Sequence, residues 1–192
     1  MRYLLMLVCA LLVVGCASEA VPAYYALSLS DNQAPSRQVT EGPILVVDRV
    51  VLPEYLNDLG IAFQPDDVQI VTANQARWAE ALDKQLTRSL VQSLSQQLER
   101  VQVLEGPNAK SQVWHLNLEI TAFQGRFDGQ AVVAGRWVLQ QGDKAYSHSF
   151  QTQVPLQEDG YPALVRALRK GWLQEITKLV QQIDQAVAHK PE

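Results

Sequence analysis

Two cysteines and three histidines, Cys9, Cys16, His115, His148 and His189, are the chain's whole supply of soft metal ligands. Their spacing builds no metal site. His115 and His148 lie on strand-like patterns and His189 in a polar tail, so each reads as a surface or satisfied histidine. Both cysteines fall within the first 16 residues, which leaves the rest of the chain without a disulfide framework, a Cys-based zinc site or a cysteine nucleophile. No G-x-S-x-G elbow, H-E-x-x-H helix or glycine-rich phosphate loop is present. The adjacent carboxylates Asp66/Asp67 and Glu158/Asp159 sit in turn-like contexts, where such residues form turns and cap helices. Expected, then, are no catalytic residue, no metal and no cofactor. A wall-modifying hydrolase, the enzymatic alternative, would need a placed acid, nucleophile or metal.

The one thiol with a recognisable context is Cys16. Arg2 is a short basic segment, Leu4–Val14 is an uninterrupted apolar run, and Val13-Val14-Gly15-Cys16 closes it. As a helix the run spans only about 16 Å at roughly 1.5 Å per residue, about half a bilayer core, so it reads as a signal peptide. Its end resembles the bacterial lipobox, whose Cys is acylated on sulfur and becomes the new N-terminus. The alternative is an ordinary secretory signal followed by a chance cysteine. The expected organisation is a signal peptide over 1–15, a lipidated tether over 16–23 and one domain over 24–188. Ala17, rather than Asp, resembles the default outer-membrane sorting signal. Each buried CH₂ contributes about 0.8 kcal/mol, so two or three acyl chains hold firmly where one is marginal. Eight residues separate Cys16 from Tyr24, a reach of at most roughly 27 Å, which keeps the domain close to its membrane.

Without residues 1–15 the chain carries 15 Lys+Arg (16 less Arg2) against 20 Asp+Glu, a net charge of −5. That excludes a general nucleic-acid or anionic-membrane footprint. Its apolar content falls from 47% to about 44%, ordinary for a globular domain.

Strand patterns fall at Tyr24–Leu29, Ile44–Val51, Leu59–Gln64 and Val68–Thr72, the last two joined by the turn Pro65-Asp66-Asp67. Ser30–Pro43 and Glu105–Ser111 read as loops. Arg77–Arg100 reads as a helix with leucines at 82, 86, 90, 94 and 98. That spacing winds around a helix instead of holding a coiled-coil seam, so it fits a helix lying obliquely on a sheet. Its Asp83, Lys84, Arg88 and glutamines read as a solvated face. After a short strand at Val101–Leu104, Val113–Phe123 alternates cleanly, Gln124–Gly129 turns, and Ala131–Gln140 and Ala145–Val154 complete a meander. Pro162–Ala188 is the second helix, with Gly171 as a point of close packing. The expected class is α+β: a mixed, mostly antiparallel sheet with two long helices packed on one face.

Aromatic residues supply the remaining candidates. Phe123 and Phe127 flank a turn with Arg126 and Asp128 at its charged tip, and Tyr24 and Tyr25 follow the tether. Phe123 reads first as core, Phe127 as core or as a docking element. Together Phe123, Arg126, Phe127, Asp128, Tyr24 and Tyr25 are the candidate partner-docking residues.

These residues carry a resemblance. The lipobox followed by Tyr24-Tyr25-x-Leu27 is similar to the transport-auxiliary lipoproteins of the paraquat-inducible (Pqi) system. So are Val50-x-x-Pro53-x-Tyr55-Leu56, Arg77-Trp78-Ala79 with Leu82 at the helix start, Phe123-x-Gly125-Arg126-Phe127-Asp128-Gly129 with Gly135-x-Trp137, and Asp159-Gly160-Tyr161. The motifs run in order through nearly the whole mature chain. One departure is Ala81, where the pattern expects a proline. The resemblance implies an outer-membrane lipoprotein facing the periplasm that accompanies an inner-membrane protein and a periplasm-spanning MCE-domain subunit. Such a set moves lipids or other hydrophobic molecules between membranes and supports envelope integrity. It implies no catalytic residues. A homo-oligomeric ring is an expectation drawn from the ring-forming MCE subunits. The competing non-enzymatic reading is a lipid- or amphiphile-binding lipoprotein with its own apolar cavity.

Overall fold

The computed structural model describes residues 21–27, 42–106 and 113–188. The signal segment, Cys16, Ala17 and His189, the 107–111 part of the second loop and nearly all of the Ser30–Pro43 loop lie outside the described residues. In chain order the elements are β1 (Ala23–Tyr25), β2 (Ile44–Val47), a 3-10 turn (Glu54–Leu56), β3 (Gly60–Gln64), β4 (Val71–Trp78), α1 (Leu82–Gln97), β5 (Gln102–Glu105), β6 (Trp114–Arg126), β7 (Gln130–Gln141), β8 (Lys144–Pro155) and α2 (Tyr161–Ala188).

The meander β6-β7-β8 is antiparallel along its whole length. The other edge of β6 is shared. β2 lies parallel to its first residues (Leu45 opposite Trp114) and β3 parallel to its last (Gln64 opposite Arg126). β5 extends the β2 arm, while β4 and then β1 extend the β3 arm. Between the arms the chain follows β6 without forming a full strand. The Asp48 and Val51 amides donate to the Leu116 and Leu118 carbonyls at 3.0 and 2.9 Å, and Ile120 N–H donates to Val51 O at 2.9 Å. The result is the expected α+β fold with an eight-stranded mixed sheet and two helices.

Three local readings are corrected. The helix does not begin at Arg77, because the sheet claims that segment. Trp78 N–H donates to Leu59 O at 2.6 Å and Ala79 N–H to Tyr25 O at 2.8 Å, so a strand runs to Trp78 and the helix starts at Leu82. The alternation of β6 slips at a bulge between Ile120 and Ala122. A bulge inserts one residue and reverses the facing of the residues after it. Phe123 therefore turns into the core, and the strand continues to Arg126 before the turn. Lastly, the polar side of α1 is divided: Lys84, Arg88, Gln92, Gln96 and Gln97 are exposed as expected, but part of it turns inward. Asp83, Gln85, Thr87 and Ser89 are all buried.

That burial has a cause. Loop amides without a strand partner must still be satisfied, and α1 supplies acceptors. Leu27 N–H donates to Gln85 Oε1 at 2.9 Å and Val50 N–H to Thr87 Oγ1 at 3.1 Å. Arg49 binds Asp83, and Trp172 Nε1–H of α2 donates to Ser89 Oγ at 3.2 Å. The leucines at 82, 86, 90, 94 and 98 are all buried in the same core cluster as Trp172, Leu168 and Ile176 of α2. Gly171 brings α2 close to the sheet: a Cβ there would sit 3.1 Å from Val133 Cγ2.

Candidate functional site

One rung crosses five strands of the sheet. Val71 pairs with Phe63, Phe63 with Gly125, Gly125 with Ala131, and Ala131 with Val154. Beyond it lie the β3–β4 turn, the β6–β7 turn and the segment after β8. Leu156 N–H donates to Gly129 O at 2.9 Å, which ties that third segment to the second. These three connections form one end of the molecule.

At the β6–β7 turn, Gly129 takes φ 75, the left-handed conformation that such a turn favours in glycine. The Arg126 guanidinium grips Asp128 with two donors, Nε–H to Oδ1 at 2.9 Å and a shorter contact to Oδ2, and touches Gln153 Oε1 at 3.4 Å. The hydrogen bond from Arg126 holds the Asp128 carboxyl below the ordinary carboxylate range and raises the guanidinium in turn. Phe127, between them, is 56% exposed.

The other expected docking residues are placed differently. Phe123 is fully buried and tilted against Trp78 at a centroid distance of 6.1 Å. It is core, with no surface for a partner, because the bulge turned it inward. Tyr24 is 63% exposed, whereas Tyr25 packs against the core. Both lie on β1, separated from the β6–β7 turn by β4 and β3. The structure thus keeps Arg126, Phe127 and Asp128 together and sets the tyrosines apart.

Exposed apolar residues that the sequence pattern did not single out stand on the turn that follows β3, the strand paired with the end of β6. Val68 is 87% and Ile70 43% exposed on the β3–β4 turn. A run of β-branched residues reads as strand, and only the position of the turn shows them to be bare. Asp66 fixes that turn by accepting from the Val68 and Gln69 amides at 2.9 and 2.7 Å, the expected turn-forming role. Glu158 instead forms an exposed ion pair with Arg166 at 2.9 Å.

Among the described residues no group of three His, Cys, Asp or Glu could hold a metal, and no helix is long and apolar enough to cross a membrane. His148 lies against the Trp137 ring at 5.9 Å and His115 lies 3.9 Å from Asp48. A buried carboxylate that sequence reasoning missed, Glu175, accepts from Thr152 and from Lys178 at 2.7 Å. It lines an interior void of about 10 Å³ beside Trp137, Phe150 and Trp172, no more than one water needs. A cleft of about 240 Å³ opens between the end of β8 and α2, edged by Glu158, Arg166 and Lys170.

Residues 25–183 match the family described as the ABC-type transport auxiliary lipoprotein component. The chain is 34% identical over 184 residues to the intermembrane transport lipoprotein PqiC of Escherichia coli (strain K12), covering 95% of this chain and 98% of that protein. The PqiC protein of Shigella flexneri matches to the same extent. A crystal structure of an uncharacterized protein, 35% identical, superposes with a TM-score of 0.76 over 85% of this chain and 99% of that one. A second crystal structure, from Xanthomonas campestris, shares the fold at 18% identity with a TM-score of 0.69, again over 85% of this chain and 99% of that one.

Proposed function

The chain belongs to the family of ABC-type transport auxiliary lipoprotein components, and from that premise we propose that it is a non-enzymatic outer-membrane lipoprotein of an intermembrane transport system. Cys16 carries the acyl chains, and the domain faces the periplasm. There it receives or anchors the distal end of an MCE-domain subunit that reaches across from an inner-membrane partner. Through that complex it supports lipid movement and envelope integrity, and a ring of copies would match a ring-shaped partner. The observation that carries the reading is the end-to-end similarity to the protein named intermembrane transport lipoprotein PqiC.

Physical arguments support a docking role. Seven residues separate Cys16 from Ala23, a reach of at most about 24 Å. So short a tether keeps the domain at its membrane, and a long partner must come to it. Among the described residues, the void between the sheet and α2 is about 10 Å³, and the cleft beside β8 is smaller than the roughly 300–1,000 Å³ of ordinary ligand pockets. These dimensions suit a protein that binds by its surface.

Two experiments test the proposal. Fatty-acid labelling of the expressed chain is expected to vanish in Cys16→Ser; labelling that persists refutes Cys16 as the anchor. Detergent extraction that preserves the complex is expected to co-purify an MCE-domain subunit. Repeated recovery of the lipoprotein without it overturns the docking role.

A further inference from the structure

We infer that the end of the molecule formed by the β3–β4 and β6–β7 turns is a membrane-contacting apex. It rests Val68, Ile70 and Phe127 on the zwitterionic phospholipid surface that holds Cys16. The inference builds on the lipid anchor proposed above.

β3 and β6 run toward this end, and β4 runs away from it. β1 is parallel to β4, with Ala23 opposite Ala76. The chain therefore enters β1 from the apex side, by way of the exposed Val21 and the half-buried Pro22. β4 is bulged between Thr72 and Arg77, and Arg77 lies opposite Gly60, three β3 residues from Phe63 on the rung, so Ala76 lies no more than about 10 Å from the rung at roughly 3.3 Å per residue. From Ala23 back to Cys16 the fully extended reach is about 24 Å. Stretched to its limit, Cys16 clears the rung by about 14 Å, and the two turns project past the rung into that space. A leaflet that holds the acyl chains of Cys16 along this path therefore lies close to the two turns, which face it. To place the opposite end on the membrane, the tether would have to fold back across the domain.

The chemistry of the apex fits such contact. Val68 is 87% exposed, Phe127 56% and Ile70 43%, on two turns that neighbour each other through the pairing of Gln64 with Arg126. Apolar side chains at an interface bury about 5–10 Å into the headgroup and acyl boundary. The charges nearby are mostly acidic: Asp66, Asp67, Asp128, Glu158 and Asp159 against Arg126 and Arg166. Acidic groups are repelled by anionic lipid, so the apex suits a zwitterionic surface and gains nothing from a negative one.

Lipidation of Cys16 leaves the mature chain without a free thiol, so a single introduced cysteine can carry a fluorophore. Val68→Cys, Phe127→Cys and, at the opposite end on the β7–β8 turn, Asp143→Cys are each labelled in the lipidated full chain. The proteins are reconstituted in phosphatidylethanolamine-rich vesicles containing a chain-brominated lipid. Quenching is expected to be several-fold stronger at 68 and 127 than at 143, and not increased by added phosphatidylglycerol. Equal or reversed quenching in a protein that floats with the vesicles overturns the apex and leaves the anchor standing. A chain that carries no lipid and does not float overturns the anchor, and the apex with it. A photo-crosslinker at position 127 that captures a defined protein in cells instead of phospholipid also overturns the inference, by making this end a protein-docking surface.

Discussion

Arg126 and Asp128 are two residues apart, and their pairing leaves Phe127 the outermost group of the turn. Asp128 accepts two hydrogen bonds from the guanidinium, so its folded pKa lies below the unfolded one. A depressed carboxyl stabilises the fold above its unfolded pKa, and that contribution is lost as pH falls through the folded value. The pair is exposed to solvent, where such bridges add little. Arg126→Ala is therefore expected to raise the Asp128 titration midpoint toward the ordinary carboxylate range by NMR, with almost no change in neutral-pH melting temperature. A midpoint that stays put would mean the pair is open in solution. The aromatic turn was legible in the sequence because Gly-Arg-Phe-Asp-Gly announces a tight reversal. Val68 and Ile70 were not, because nothing in a β-branched run says whether it is paired or bare.

Long regular elements could be read from their periods. The alternation of Trp114–Ile120 and the leucine spacing of α1 each describe one face against one core, and the structure buries those faces. What escaped was decided by distant partners. Arg77-Trp78 fits either a helix start or a strand end, and the Trp78 and Ala79 amides, donating to the Leu59 and Tyr25 carbonyls, settle it. The bulge at Thr121 and the shared edge of β6 have no local signature. Gly135 leaves room for the Phe150 ring, and a Cβ there would meet Glu119 O at 2.4 Å and Phe150 Cζ at 2.8 Å. Gly135→Ala must push β6 and β7 apart and is expected to cost at least about 1–3 kcal/mol in chemical denaturation; a neutral result would show that the ladder yields freely there. Ala81 precedes α1 at φ −50 and ψ 129, close to what proline imposes. Ala81→Pro is expected to stabilise by about 0.4–1 kcal/mol, chiefly by restricting the unfolded chain. A fall in the denaturation midpoint would show that the Ala81 amide or the residue before it cannot accept the ring.

Taken whole, the molecule joins a locally paired half to a remotely paired one. β6, β7, β8 and α2 follow one another in sequence, and each packs on its neighbours. β1, β2 and β3 find parallel partners only far along the chain. Closing long loops before any contact rewards them makes such pairings slow. Pulse-labelled hydrogen exchange during refolding is expected to protect β6–β8 first and β1 and β2 last; simultaneous protection would contradict this order. The forked edge of β6 sharpens the point. One side of that strand is completed at once by its own hairpin, while the other waits for two separate segments to land in the correct halves. Until both arrive, part of β6 stays open, an adhesive template for any extended peptide nearby. The same shared edge that builds the finished sheet therefore sets a window of vulnerability during maturation, and crowding at the membrane is where that window matters most.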